Sequence, residues 1–598
     1  MQTLATIPFG EDSQLEEYHH DGNLRRHTLC ASSTMRTEVL NATTPVTTIP
    51  RDDVAQMLMD RLGDEHLGLR TRTRDWTWDE VVRESAARGA FAQSLRQPGP
   101  FHIGVLLENT PEFIFWLGGA ALTGATIVGI NPTRRGKELE AEVRYVDCQL
   151  IVTDSAGMEK LAGLDLGLGD DRFVLVDDAS YAQSVAAQVT EPKVADGVDA
   201  STLFLLLFTS GTTGMSKAVR CSQGRITRLA YANCEKYDVD RDDVCYCCMP
   251  LFHGNALMGL WAPALSQGAT ICLVPKFTAS GFMSDVRYYG ATYFTYVGKA
   301  LGYLMSTEES PDDADNTLTH GFGTEASPGD KAEFIRRFGA KLYEAYGSSE
   351  GAGSIRLDPA APTGALGRPA NENIVIVNPE TLEECPRAIL DEHGHVRNSD
   401  EAIGEMIDKA GAGRFEGYYK NESAVAERIR NGWYWTGDLG YVDEAGFIYF
   451  AGRKGDWIRV DSENTSALMI EHVLRRHPKV IATGVFAVPD PRSGDQVMAA
   501  LEVADHSDFE PEEFAAYLAA QADLGTKAAP RFIRVSTALP VTGSNKVLKR
   551  ALQAEGWRCD EPVYHWVGRG APTYTLMTDA DREALTKEFE EHGRARFL

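Results

Sequence analysis

Between about residue 50 and residue 450, short apolar runs (HIGVLL, ATIVGI, QLIVTD, RFVLVD, TLFLLLF, ATICLV) alternate with stretches of helical spacing. Runs this short, bounded by polar residues, fit strands buried on both faces, and their alternation with helices predicts α/β layers. One candidate membrane span, FIFWLGGAALTGATIVGI, covers Phe113 to Ile130 without a charge. It meets the lower edge of the length needed to cross a bilayer. Four glycines and two threonines interrupt it, however, and it divides into a buried helix (EFIFWLGGAALTG) and a strand (ATIVGI). After Arg453 the pattern starts again, with strand-like GVFAVPD and VMAALEVAD and then helical FEPEEFAAYLAAQADL. The expected organisation is therefore a polar, poorly ordered extension (1–49), a large N-terminal domain (50–453) and a smaller C-terminal α/β domain (454–598). The segment GRKGD, with Gly455 in it, supplies a hinge. The acidic stretches 191–200 and 307–317 read as solvated connectors, and no internal repeat is visible.

A chain of 598 residues exceeds one core, so several domains are expected. Its net charge of −27 repels phosphate backbones and argues against nucleic-acid binding. The ten cysteines include one C-x-x-C, in DVCYCCMPLFH, but a zinc site needs a second pair at similar spacing. Buried strand cysteines of a reducing cytoplasm are the expectation. Acidic residues Glu11, Asp12, Glu16 and Glu17 stand where a signal peptide would be apolar, and Met35 offers a second candidate start.

One stretch asks for chemistry. FTSGTTGMSK, Phe208 to Lys217, gathers hydroxyls and glycines around a single lysine. Glycine lets backbone N–H groups approach an anion, hydroxyls add donors and lysine adds charge, which together suit a phosphate cradle. The spacing is not that of a Walker A loop, because two residues separate Gly211 from Gly214 and Lys217 follows three places on. Taken alone, a polar turn is the plainer reading. The preceding apolar run fits a buried strand, and Ser222 is placed to cap a following helix.

Four further stretches change that balance: HGFGTEASPGD (from His320), YGSSEG (from Tyr346), GWYWTGDLGYVDEAGFIYFAGRKGDWIRVDSEN (from Gly432) and LPVTGSNKVLKR (from Leu539). With FTSGTTGMSK, in this order, they resemble the adenylate-forming acyl-CoA synthetase superfamily. GDWIRVDSENTS and YTLMTDADREAL are most similar to its fatty acid transport protein and very-long-chain acyl-CoA synthetase branch, with actinobacterial fatty-acid and steroid-acid CoA ligases the nearest in pattern. The resemblance runs from about residue 50 to the end.

It implies a large N-terminal domain of layered α/β subdomains with a small β-barrel portion, followed by a mobile C-terminal α/β domain. It also implies a two-step reaction. A carboxylate attacks the α-phosphate of ATP, pyrophosphate leaves, and the thiol of coenzyme A then displaces AMP from the acyl-adenylate. Two anions meet in the first step, so positive charge, hydrogen bonds and Mg2+ are called for. On this reading Thr209, Ser210, Gly211, Thr212, Thr213, Gly214 and Lys217 cradle the β- and γ-phosphates. Gly323, Thr324, Glu325 and Ala326 line the adenine, with Tyr346 stacked on it beside Gly347. Ser349 meets the α-phosphate and Glu350 ligates Mg2+, an ion that keeps water and substrate phosphate as its other ligands. Asp438 accepts from both ribose hydroxyls with Arg453 beside it. Lys546 reaches the carboxylate and α-phosphate during adenylation, and His253 stands at the mouth of the acyl pocket. YFTYVGKALGYL, from Tyr293, is apolar enough to line a lipophilic tunnel, although such runs are more often plain core.

Two positions depart from the wider family pattern. Gly455 occupies the pivot where commoner branches carry Asp or Lys, and Ser462 stands where this branch has glycine in the loop that closes on coenzyme A. Serine disfavours positive φ, so the thioester step is the one in question. The expected substrates are ATP, coenzyme A and a long or bulky lipophilic acid, a fatty acid or a steroid side-chain acid. The expected location is the cytoplasm, and a lipophilic substrate is compatible with peripheral association at the inner face of the membrane. The alternatives are an acyl-AMP ligase that loads a carrier protein and a lipid-binding or import protein without the chemistry; Lys546 and Glu350 together speak against the latter. A hydrolase reading also exists, because Gly347–Gly351 match G-x-S-x-G and Asp438 and His472 follow in order. It requires a helix directly after the motif, and the sequence AGSIRLDPAAPTGALGRP is too rich in Gly and Pro to form one.

Overall fold

The computed structural model describes residues 50–598 except 189, 210–215, 325, 327, 352, 354, 359, 363, 392–395, 454–456, 461–462, 492–494, 522–523, 525–527, 543–544, 567–572, 593 and 596–597. The N-terminal extension with Met35, most of the phosphate loop (Ser210, Gly211, Thr212, Thr213, Gly214), Glu325, Gly455 and Ser462 thus lie outside the described residues, as does the side chain of Arg453.

Each apolar run named above forms a strand. Phe173–Leu175, Cys148–Thr153, His102–Leu106, Thr126–Gly129, Leu203–Thr209 and Lys217–Ser222 make one sheet, parallel except for its last pair. A second sheet runs Lys341–Glu344, His320–Thr324, Tyr293–Val297, Val244–Cys247, Thr270–Leu273, Leu67–Arg70 and Asp75–Thr77, again parallel up to an antiparallel edge. The β-rich portion of the large domain is a third, antiparallel sheet that includes Gly404–Asp408, Trp433–Val442 and Ile448–Arg453. Beyond it lie the hairpin Trp457–Val460/Glu463–Ser466 and a five-stranded mixed sheet built on Ala482–Pro489 and Asp495–Glu502.

The 18-residue uncharged stretch divides as its composition predicts, into the buried helix Pro111–Thr123 and the strand Thr126–Gly129. Gly124 ends the helix at φ 72°, a left-handed conformation in which a Cβ is costly. Among the described residues, no helix is long and apolar enough to cross a membrane. Cys245, Cys247 and Cys248 are buried, and burial pushes the Cys247 thiol up to about 12.

The helices Trp78–Ser94 and Pro111–Thr123 touch through glycine. A Cβ on Gly119 would stand 2.6 Å from the backbone N of Gly89 and 2.7 Å from Ser85 O, and neither atom can move without the helix that carries it. Gly119→Ala should therefore cost about 1–3 kcal/mol of stability as the pair is forced apart. Thermal unfolding against Gly413→Ala, where a Cβ meets nothing within 4 Å, checks this; equal melting temperatures would contradict it.

Candidate active site

The phosphate-loop motif closes a hairpin. Thr209 pairs with Lys217 and Phe208 with Ala218, so the loop joins the ends of two adjacent strands in the middle of the large domain. Ser222 ends the second strand and caps the helix Gln223–Tyr237, its Oγ accepting from Arg225 N–H at 3.1 Å. Glu416 holds this junction, taking the Ser222 N–H and hydroxyl at 2.6 Å each. Lys217 is buried; its Nζ donates to Glu427 Oε2 at 3.2 Å and lies 5.4 Å from the centre of the Tyr418 ring. An entering phosphate would compete with Glu427 for that ammonium group.

The adenine motif sits where parallel strands end, the usual place for a ligand in an open α/β sheet. Gly323 pairs with Tyr296 on one side and Glu344 on the other. A Cβ there would stand 2.2 Å from the Tyr296 ring, so glycine is the residue that fits. Glu344 Oε1 accepts Ala326 N–H at 3.1 Å and ties the segment after Thr324 to the next strand. That strand leads directly into Tyr346, Gly347, Ser349 and Glu350. Arg225, buried under the capped helix start, donates to the backbone O of Ser349. His253 comes to the same place: it caps the short helix Gly254–Ala256, and a Cβ on Gly254 would lie 3.6 Å from Ser349 Oγ.

The ribose and metal candidates are reached from the third sheet. Asp438 pairs in register with Arg453, as the motif implies, and its Oδ2 accepts the Tyr346 hydroxyl at 2.6 Å. The resemblance assigns Tyr346 a stacking role, and the structure also makes its hydroxyl a partner of the ribose candidate. Burial, reinforced by Asp438, holds that phenol well above its ordinary pKa, so it stays a donor. Glu350 is buried, and its Oε1 accepts the Tyr418 hydroxyl at 2.8 Å. Burial and then the Glu350 charge push the Tyr418 phenol upward. Arg428 stays above its usual value against the pull of burial because Tyr434, Tyr418 and Glu350 surround it. It also donates to the backbone carbonyls of Trp435 (3.2 Å) and Thr436, just before Asp438. Lys217, Tyr418, Glu350 and Arg428 are thus successive neighbours.

Lys546 lies on a hairpin of the smaller domain: Val541 bridges Val547, Thr542 N–H donates to Lys546 O at 2.7 Å, and Lys546 N–H to Thr542 Oγ1 at 3.1 Å. YFTYVGKALGYL divides into the buried strand Tyr293–Val297 and the helix Gly298–Met305, whose Lys299 and Tyr303 bond to Glu502. Ser349 is followed by the strand Ile355–Arg356 and not by a helix, which removes the hydrolase reading. Among the described residues no cluster of three or more His, Cys, Asp or Glu is placed to hold a metal ion.

Arg225, Tyr418 and Glu416 escape sequence reasoning, since each acts through a partner far along the chain, and Arg428, bonded within ten residues, lies in none of the motifs. The capping serine at 222 was the one local signal, and it pointed only to the helix start.

The AMP-binding enzyme model matches residues 60–419, and the AMP-binding enzyme C-terminal domain model matches residues 469–546. A steroid-22-oyl-CoA synthetase of Rhodococcus jostii is 75% identical over 551 residues, covering 92% of this chain and 99% of that one. A medium/long-chain-fatty-acid–CoA ligase of Mycobacterium tuberculosis is 44% identical over 489 residues, 82% of this chain and 93% of its own. Among solved structures, ATP-bound MatB of Rhodopseudomonas palustris shares the fold at a TM-score of 0.70 and 21% identity, over 84% of this chain and 98% of its own. The chain belongs to the adenylate-forming, AMP-binding acyl-CoA ligase superfamily, close to the actinobacterial ligases of steroid and fatty acids.

Proposed function

We propose that this enzyme's acid is a steroid whose carboxyl group ends the side chain, and that its AMP-forming ligation to coenzyme A passes through the steroidal acyl-adenylate. Ligation of coenzyme A to a long-chain or bulky lipophilic acid at the expense of ATP is the activity of the group it belongs to. The single observation that carries the finer reading is the 75% identity, over 99% of its length, to the Rhodococcus steroid-22-oyl-CoA synthetase. The medium/long-chain-fatty-acid ligase stands at 44%. ATP and coenzyme A are metabolites of the cytoplasm, where we place the enzyme.

The residues divide the work as follows. Lys217, with Thr209 and the loop between them, holds the departing pyrophosphate, exchanging Glu427 for phosphate oxygen. Ser349, fixed from behind by Arg225, presents its hydroxyl to the α-phosphate. Asp438, with Tyr346 already on one oxygen, accepts from the ribose. Glu350 would suit Mg2+, being a single buried carboxylate with one oxygen on the Tyr418 hydroxyl, since that ion keeps water and substrate phosphate as its other ligands. Bound there, the ion would neutralise charge that develops on the phosphates. Lys546 adds its charge to the attacking carboxylate and the α-phosphate, and His253 marks the entrance of the acid.

A panel of acids with ATP, Mg2+ and coenzyme A, scored separately for AMP and thioester, tests the assignment. The steroid C22 acid is expected to give the highest kcat/KM and saturated fatty acids a markedly lower one. A fatty acid that outperforms every steroid acid would overturn it. AMP without thioester would instead identify a ligase that loads a carrier protein.

Asp438→Ala should raise the KM for ATP on the order of 10- to 100-fold, because two ribose hydroxyls and the Tyr346 phenol lose an acceptor at about 1–3 kcal/mol for a buried group left unpaired. Calorimetry that finds unchanged ATP affinity would place the ribose elsewhere. Tyr346→Phe removes only one of these bonds and should cost less.

A further inference from the structure

Lys299 and Glu502 form a buried ion pair between the two domains. Lys299 belongs to the helix Gly298–Met305, which starts where the strand Tyr293–Val297 ends, beside the adenine motif. Glu502 is the last residue of the strand Asp495–Glu502 in the smaller domain. Their charged groups are 2.9 Å apart, and both residues are less than a tenth exposed (9% and 4%). Tyr303, one turn on along the same helix face, donates its hydroxyl to the other oxygen, Oε1, at 3.1 Å.

The carboxylate has a third partner. Glu502 Oε2 also accepts the backbone N–H of Leu539 at 3.0 Å. Leu539 is the root of the segment that folds into the Lys546 hairpin, and Leu548 N–H closes that hairpin on Pro540 O at 2.8 Å. One side chain therefore ties the base of the hairpin carrying Lys546 to a large-domain helix that begins at the nucleotide site. A second tie runs parallel. Arg475 pairs with Asp330, and it lies so closely over Gly302, between Lys299 and Tyr303, that a Cβ there would stand 2.7 Å from its Nη2.

Charge suits a contact that has to form and break. Taking two ions out of water is costly, so a buried pair adds little net stability over an apolar seal, yet it accepts only one geometry. On separation both groups regain their hydration, which offsets the lost attraction; an apolar seal of the same size would expose greasy surface instead. The ion pair thus fixes a position without locking it.

We propose that Glu502 is a positioning residue for adenylate formation: by holding Lys299, Tyr303 and Leu539 together it sets the Lys546 hairpin against the nucleotide site, and its parting from Lys299 releases the smaller domain for the thioester step. This rests on the role proposed above for Lys546. Glu502→Gln and Lys299→Met are to be compared with wild type in two single-turnover measurements. One follows pyrophosphate release from acid and ATP, and the other thioester formation from isolated acyl-adenylate and coenzyme A. The expected result is a 10- to 100-fold slower first step in both variants, with the second unchanged within about twofold. Loss of the first step should appear in kcat more than in the KM for ATP, since neither residue is placed to touch nucleotide. Equal damage to both steps, or damage confined to the second, overturns the proposal, and so does an unaltered first step. Lys546→Ala run alongside separates the two readings: if it slows adenylation and Glu502→Gln does not, only the positioning role fails. Should Glu502→Gln not fold, Lys299→Met and Tyr303→Phe test the same tie from the other side.

Discussion

Lys546→Ala is expected to abolish adenylate formation while isolated acyl-adenylate still reacts with coenzyme A at close to the wild-type rate. The lysine is the charge the resemblance assigns to the first transition state, where an anionic carboxylate is brought onto the α-phosphate and negative charge is concentrated on the phosphoryl oxygens and the departing pyrophosphate. A preorganised donor aimed at such charge is worth roughly 10²-fold or more when removed. In the second half-reaction a thiol displaces AMP and no second anion is driven onto the phosphate, so the same group has little to stabilise. The structure places Lys546 on a hairpin held through its own backbone, by the Thr542 contacts and the Val541–Val547 bridge, so truncating the side chain leaves the hairpin intact. Lys546→Arg should not restore the rate, because a planar guanidinium fork presents its charge and donors differently from a compact ammonium. Pyrophosphate release and thioester formation measured separately decide the matter. Loss of both steps in equal measure would make Lys546 a structural residue.

What was legible in the sequence depends on how local the cause is. The division of Phe113–Ile130 into helix and strand can be read because Gly124 both breaks the pattern and supplies the left-handed cap. The composition of FTSGTTGMSK alone does not tell a phosphate loop from a polar turn, but the strand before it and the Ser222 cap after it fall where polarity changes. Tyr418 on Glu350 joins residues 68 positions apart, Lys217 and Glu427 are separated by 210, and Arg225 and Ser349 by 124. No periodicity or spacing connects such pairs; they become visible only when three sheets bring their ends together. The same distance hid the hydroxyl of Tyr346, which is bonded to Asp438 92 residues away. YFTYVGKALGYL shows the limit from the other side. Its apolar character is real, but the strand half packs as core and the helix half turns its two polar heads to Glu502. Composition identifies a buried segment without saying what buries it.

Glu350→Gln is expected to slow adenylation by about 10²-fold or more and to raise the Mg2+ concentration at which the rate is half maximal. The substitution preserves volume, and an amide oxygen can still accept the Tyr418 hydroxyl that Glu350 Oε1 accepts at 2.8 Å, so the local fold has what it needs. What disappears is the negative charge. Two purposes are assigned to that charge. On the proposed function it would offer a divalent ion its protein ligand, and it is one of the groups that hold the half-buried Arg428 guanidinium above its usual value. A metal that polarises phosphate oxygen contributes several kcal/mol to a phosphoryl-centred transition state, which sets the scale of the loss. The thioester step from preformed adenylate carries no pyrophosphate to neutralise and should change little. Binding of ATP followed by calorimetry with and without Mg2+ separates the two purposes without relying on turnover. If Glu350 is the ligand, the gain in ATP affinity that Mg2+ brings to wild type is lost in the variant. If it serves Arg428 alone, affinity falls equally in both conditions and the Mg2+ dependence of the rate stays where it was, which would refute the metal assignment. Tyr418→Phe is the control: it takes one hydrogen bond from the same carboxylate, about 1 kcal/mol, and leaves the charge in place.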